Sequence, residues 1–246
     1  MIGARRLLRG AGARRSGARR AAPGLAVPMY VHPVLAPAAW QALTRTDLGS
    51  GFVVANAASG PGTAPEQAYV DVLVELQAAG VPLVGYVDSA YGDRCAEEVA
   101  VDVVRWRRWF GVTGVFIDRV TSRPDDPSAA RRLVDGVRSA GATRVVVNPG
   151  VVPDASWCRA ADAVITFEGT WTDYLAHVPP GWLREVAPET LCHLVHTLPA
   201  EVSLADVRER AALAGAGIVG ISRGAMPNPW TGHPGAVAAV PHSRWA

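Results

Sequence analysis

The sequence predicts an α/β protein built as a single (β/α)8 barrel of the TIM type. Eight short apolar runs recur along the chain, helical patterns fall between them, and polar residues stand at the ends of several runs. A length of 246 residues suits one such barrel.

The runs read LAVPMYVH (25–32), GFVVANA (51–57), VPLVGYVDS (81–89), GVFIDRV (114–120), TRVVVNPG (143–150), DAVITFEG (162–169), LCHLVHTL (191–198) and AGIVGISRG (216–224). Their near-continuous apolar character is that of strands covered on both faces. Between them, Thr63 and Glu66 form an expected capping box opening a helix with Tyr69, Leu73 and Leu76 on its inner face. Cys95, Val99, Val103, Trp106 and Phe110 make the stripe of the next helix, with Glu97 and Glu98 in its first turn and Gly111 as its stop. Asp126 before Pro127 reads as an N-cap with proline at the first helical position. Leu133, Val134 and Val137 then face inward and Gly141 ends the helix. Ser203 opens a helix carrying Leu204, Val207 and Ala211. The aromatic, proline-broken segment 171–186 is expected to be a loop over the barrel mouth with short helical turns.

Three parts follow: a disordered Arg-rich leader (1–24), the barrel (25–224), and a Pro/Gly-rich tail (225–246) packing on it with Trp230 and Trp245. At 49% hydrophobic and 19% charged residues the chain can bury a large core. No apolar run approaches the roughly 20 residues needed to cross a bilayer, so no membrane partner is expected. All 24 basic residues are arginine. That excludes Schiff-base lysine chemistry and the P-loop lysine. Seven arginines lie in the leader, so the net charge of +2 leaves −5 on the remainder. A mildly acidic barrel is a poor nucleic-acid binder. The leader lacks the apolar stretch of a signal peptide. A cytoplasmic location is then the default, and secretion requires a different start. Cys95, Cys158 and Cys192 have no CxxC spacing and are read as buried small hydrophobes.

In a barrel of this kind the C-terminal strand ends form the site. Asp118 ends the fourth run and Glu168 the sixth. Backbones two strands apart are roughly 9–10 Å apart, so converging side chains can reach the spacing of either a retaining or an inverting glycosidase. Asp88 ends the third run and can orient a hydroxyl or tune its neighbours. Asn56 and Asn148 offer amides suited to hydroxyl and N-acetyl groups. Tyr30, Tyr86, Tyr91, Trp171, Tyr174 and Trp230 are aromatics near strand ends, able to stack on sugar faces or to cover the core. His193 and His196, three apart on a strand, point to opposite faces and weaken any metal site.

The motifs VPMYVHP (27–33), NAASGPG (56–62), GYVDSAYG (85–92), GVFIDRV, VVNPG (146–150), TFEG (166–169) and NPW (228–230), in this order, resemble the spherulin-4-like family, spherulation-specific family 4. The resemblance runs over about residues 26–232. It implies a (β/α)8 barrel, and an endo-acting retaining glycoside hydrolase cutting α-1,4-linked N-acetylgalactosamine polymers such as galactosaminogalactan. By resemblance, Asp118 aligns with the acid ending strand four and Glu168 with the acid ending strand six. Four positions depart from the family pattern. Arg119 stands where fungal members carry a second acid, Ser222 and Arg223 replace a Thr-Asp pair, and Ala57 replaces a common proline. The arginines make the mouth less negative, which disfavours a cationic amino sugar.

The expectation is therefore a monomeric glycoside hydrolase acting on a polysaccharide or oligosaccharide, with Asp118 as nucleophile and Glu168 as acid/base, and no cofactor or metal. Tyr30, Asn56, Tyr86, Asp88, Tyr91, Arg119, Asn148, Trp171, His196 and Arg223 are its candidate substrate-binding residues. A carbohydrate-binding barrel without catalysis is the alternative. A metal-dependent lyase or isomerase using Asp88, Asp118, Glu168 and a strand-seven histidine is the second.

Overall fold

Eight parallel strands close into a barrel in sequence order: β1 (Gly24–Met29), β2 (Phe52–Ala55), β3 (Leu83–Asp88), β4 (Gly114–Asp118), β5 (Arg144–Asn148), β6 (Ala163–Thr170), β7 (Leu191–His196) and β8 (Ile218–Ile221). Outside them run α1 (Pro37–Ala42), α2 (Gln67–Ala78), α3 (Ala96–Phe110), α4 (Ala129–Ser139), α5 (Ala155–Ala160), α6 (Trp171–Ala176) and α7 (Leu204–Leu213). The structure is a computed structural model that describes residues 21–231 apart from 125 and 127. The expectations for the leader up to residue 20, for Trp245 and for Pro127 lie outside the described residues. No helix among the described residues is long and apolar enough to cross a membrane.

Strand alternation splits the core in two. Phe52, Val54, Val84, Phe116, Val146 and Ile165 are among the side chains filling the barrel interior. Val53, Val115, Ile117, Val145, Val147 and Val219 face the helices. Both faces are buried, hence the unbroken apolar runs. Helix α3 docks on β3 where Gly85 has no side chain: a Cβ there would lie 2.4 Å from the Trp106 indole. Trp106 Nε1 donates to the Tyr86 carbonyl at 2.8 Å, fixing the strand that carries Tyr86 and Asp88. Gly111 ends α3 in the left-handed conformation, at φ 67°.

Strand β6 contains the feature that matters most for the site. Ile165 pairs with Cys192 and Phe167 with His193, so Thr166 is an extra residue, a β-bulge. The bulge reverses the alternation. Phe167 turns outward with His193, and Glu168, paired with Leu194, turns inward.

Several local expectations are corrected. Helix α2 is capped at Glu66, not Thr63. A cap at Thr63 would require helical backbone at Ala64, which precedes Pro65 and is disfavoured there. Glu66 instead accepts from His32 Nε2 at 2.5 Å. Helix α4 starts at Ala129 with Ser128 at its N-cap, while the Asp126 carboxylate accepts from the Ser128 amide at 2.8 Å. Cys95 is exposed at the N-cap of α3, outside its buried stripe, and Cys158 is only half-buried; Cys192 is fully buried. Segment 171–186 is not a loop over the mouth. Helix α6 follows β6 directly and packs on the outer wall. Tyr174 is fully buried, its hydroxyl 2.8 Å from His193 Nδ1, and Arg210 of α7 donates to the carbonyls of Tyr174, Leu175 and His177. The outward His193 supplies the polar partner that draws Tyr174 inward.

Candidate active site

Strands β3, β4 and β5 are in register, with Asp88 opposite Asp118 and Asp118 opposite Asn148. All three share the inward face of Tyr86, Phe116 and Val146, at the C-terminal ends of their strands. Glu168 joins them through the bulge. Tyr30, just past β1, meets the edge of Tyr86 at 5.7 Å. Trp230 closes the cluster from the far end of the chain. Its carbonyl accepts from the Tyr30 amide at 2.9 Å, and Asn228 bridges the Tyr30 carbonyl and the Trp230 amide.

Each acid is held by a hydrogen-bond donor from a neighbouring strand. The Tyr86 hydroxyl donates to Asp118 Oδ2 at 2.7 Å. Asn148 Nδ2 donates to Glu168 Oε2 at 2.7 Å, and the same side chain, opposite Asp118 in the sheet, also helps to lower the Asp118 pKa. Asn148 Oδ1 accepts from the Gly150 amide at 2.9 Å, which fixes the orientation of the side chain. The Trp230 indole also helps to lower the Glu168 pKa. Burial pushes both carboxyls above the ordinary range. The donors oppose this, while Asp88 adds to the rise at Asp118, and Asp118 to the rise at Glu168. A close pair of this kind titrates as a unit. Burial and the neighbouring Asp118 charge raise the phenols of Tyr30 and Tyr86 as well, keeping both as neutral donors.

At the rim, Arg119 grips Asp88 with two donors, Nε to Oδ1 at 2.8 Å and one Nη to Oδ2. Burial pushes the Asp88 carboxyl up, but the Arg119 hydrogen bonds and the Ala90 amide prevail and hold it below the usual range. Tyr91 is 62% exposed, with the Arg119 guanidinium 5.4 Å from its ring centre.

A profile of spherulation-specific family 4 matches residues 24–223, nearly all of the barrel. The chain belongs to spherulation-specific family 4. Spherulin-4 of Physarum polycephalum is 30% identical over 149 residues, covering 58% of this chain and 44% of the relative, so the chain spans under half of that protein's length. Among solved structures, Sph3 of Aspergillus clavatus in complex with GalNAc superposes with a TM-score of 0.73 at 25% identity, over 86% of this chain and 93% of that one. Deoxyribose phosphate aldolase of Aeropyrum pernix, at 17% identity and a TM-score of 0.50 over 81% and 85% of the two chains, shares the fold alone.

Within this family-4 barrel the remaining candidates divide. His196 is buried on the inward face, edge-on to Trp230 at 6.1 Å, and burial lowers its pKa. Asn56 uses its Oδ1 to cap its own loop, accepting from the Gly60 amide at 3.1 Å. Two candidates are displaced from the mouth. Trp171, the first residue of α6, packs against the outer core beside Tyr174. Arg223 follows the inward Ser222 and therefore turns outward, where it donates to the carbonyls of Leu198, Pro199 and Val202 in the β7–α7 connection. The ligand set of the metal alternative is not gathered. Among the described residues no three His, Cys, Asp or Glu side chains converge as ligands. Asp88 is held by Arg119, and His193 lies in the outer wall with its pKa driven by burial down to about 3. The sequence marks Trp230 as an aromatic near a strand end, in the NPW motif of a tail packing on the barrel, but does not place it beside Glu168.

Proposed function

We propose that the chain is a glycoside hydrolase that cleaves an α-1,4-linked N-acetylgalactosamine-type glycan through Asp118 and Glu168. The observation that carries this reading is the pair of half-buried, electrostatically coupled carboxyls at the barrel mouth, with Asn148 bonded to Glu168 and opposite Asp118 in the sheet. Kinship with Sph3, which is seen in complex with GalNAc, supports the sugar class.

Asp118 is the nucleophile in this reading. Its ionised form accepts from Tyr86 and attacks the anomeric carbon. As the glycosidic C–O bond breaks, the Glu168 carboxyl gives its proton to the leaving oxygen. The deglycosylating water then gives a proton to Glu168 and its oxygen to the anomeric carbon, releasing Asp118. Mutual repulsion lets the pair hold one proton between them, which the first step requires. Asn148 stays bonded to Glu168 as the charge moves from one acid to the other. Tyr30 and Tyr86 offer neutral hydroxyls to the sugar.

The test is product analysis by mass spectrometry on partly deacetylated α-1,4-galactosaminogalactan, with Asp118→Asn and Glu168→Gln alongside the parent. Oligosaccharides from the parent alone are expected. Cleavage retained in both variants would sink the mechanism. Binding without products from the folded parent would favour a carbohydrate-binding barrel, the reading motivated by neutralisation of Asp88 by Arg119.

A further inference from the structure

We infer that Asn228 is a positioning residue of the active site: its side chain clasps the segment after β8 to the end of β1 and so sets Trp230 beside Glu168. The inference rests on the reading of Glu168 as the acid of the proposed hydrolysis. It goes beyond that reading by giving a task to an exposed amide outside the pair of acids.

Residues 222–230 form a strap tied to three strand ends. At β7, the Thr197 amide donates to the Gly224 carbonyl at 2.9 Å. At β8, the Ser222 hydroxyl donates to the Pro229 carbonyl and accepts from the Gly224 amide at 3.0 Å. The two limbs of the strap lie so close here that a Cβ on Gly224 would collide with the Pro229 carbonyl oxygen. At β1, the Tyr30 amide donates to the Trp230 carbonyl at 2.9 Å.

Asn228 completes the last tie. Its Oδ1 accepts from the Trp230 amide at 3.1 Å, the local turn an asparagine makes with the residue two places on. Its Nδ2 donates to the Tyr30 carbonyl at 3.1 Å. One amide therefore works on both sides of the seam between strap and β1. Asn228 itself is exposed, whereas Trp230 is buried among the interior side chains, edge-on to His196 at 6.1 Å. The presence of the indole lowers the Glu168 pKa. The pull of an N–H on a carboxyl weakens steeply with distance and angle, so a small turn of the Trp230 backbone is enough to withdraw it. Only Pro229 separates Asn228 from Trp230, so loss of the clasp reaches this indole before any other side chain of the site. The tie lies at the surface and can be cut without opening the core.

The test reads Glu168 directly. Its carboxyl is titrated by NMR in the full chain carrying 13C at the glutamate carboxyls, with the signal assigned by its loss in Glu168→Gln. The parent, Asn228→Ala, Trp230→Phe and the double variant Asn228→Ala/Trp230→Phe are compared. Trp230→Phe should move the Glu168 titration upward by about one to two pH units, and Asn228→Ala by about half a unit to one unit. The double variant should match Trp230→Phe alone, because Asn228 acts through that indole. The Tm of Asn228→Ala should stay within about 5 °C of the parent. A Glu168 titration unchanged in Asn228→Ala, a further shift of the same size on top of Trp230→Phe, or an Asn228→Ala chain that does not fold would overturn the inference. Turnover of an N-acetylated α-1,4-galactosamine oligosaccharide separates this inference from the hydrolase reading. The expected titrations without cleavage by the folded parent would refute hydrolysis and leave the clasp standing. Cleavage by the parent with an unchanged titration in Asn228→Ala would do the reverse.

Discussion

Removing one oxygen from Tyr86 should move the pH dependence of the enzyme without unfolding it. The Tyr86 hydroxyl lies 2.7 Å from Asp118 Oδ2, and its own ionisation is suppressed by burial and by the Asp118 charge, so it donates to the carboxylate. A hydrogen bond to a charged group is worth about 1.5–3 kcal/mol. At 1.36 kcal/mol per pH unit, its loss in Tyr86→Phe raises the ionisation of Asp118 by about one to two units. In the proposed mechanism Asp118 must be ionised to attack, so the acidic limb of kcat/KM should move upward by that amount. The ring itself is retained. Its stacking on Phe116 at 6.2 Å and its edge contact with Tyr30 at 5.7 Å survive, so Tm should change by a few degrees at most. The assay is a pH–rate profile of the parent and Tyr86→Phe on an N-acetylated oligosaccharide, paired with a thermal melt. An active variant whose acidic limb coincides with that of the parent would refute the assignment of that limb to Asp118.

Trp230→Phe removes the indole N–H whose presence lowers the Glu168 pKa; the Glu168 carboxyl should hold its proton to higher pH, and the basic limb of the same profile should rise. Asp118→Asn should raise Tm at neutral pH. Burial raises the folded pKa of Asp118 above its unfolded value, so its ionisation removes stability as pH rises from about 4 through the folded pKa. The gain should therefore fade as the melt is repeated toward about pH 4, and a gain independent of pH would contradict the burial argument. Thr166→Val tests the bulge: the Thr166 hydroxyl is fully buried with no hydrogen-bond partner among the described residues. Replacing it with a methyl group should stabilise by about 1 kcal/mol, or roughly 2–4 °C in a melt.

The barrel was legible because its signals are local. Each strand is a short apolar run, and residues such as Ser203 and Gly111 mark helix ends by their own chemistry. The positions of Asp118, Asn148 and Glu168 at strand ends were readable for the same reason. The inward turn of Glu168 was not, because it depends on a bulge that only pairing with β7 reveals. Segment 171–186 was misread because its prolines look like loop signals. What makes it part of the wall is the contact of Tyr174 with His193, which comes from another strand. The outward position of Arg223 and the contact of Trp230 with Glu168 are likewise products of tertiary packing.

The most direct test of the central claim is proton NMR of the anomeric signals during cleavage of an α-1,4-linked N-acetylgalactosamine oligosaccharide. The two-carboxylate account predicts new reducing ends that appear first in the α configuration and are absent with Asp118→Asn. A first product in the β configuration, or no new reducing ends from the folded parent, would contradict it.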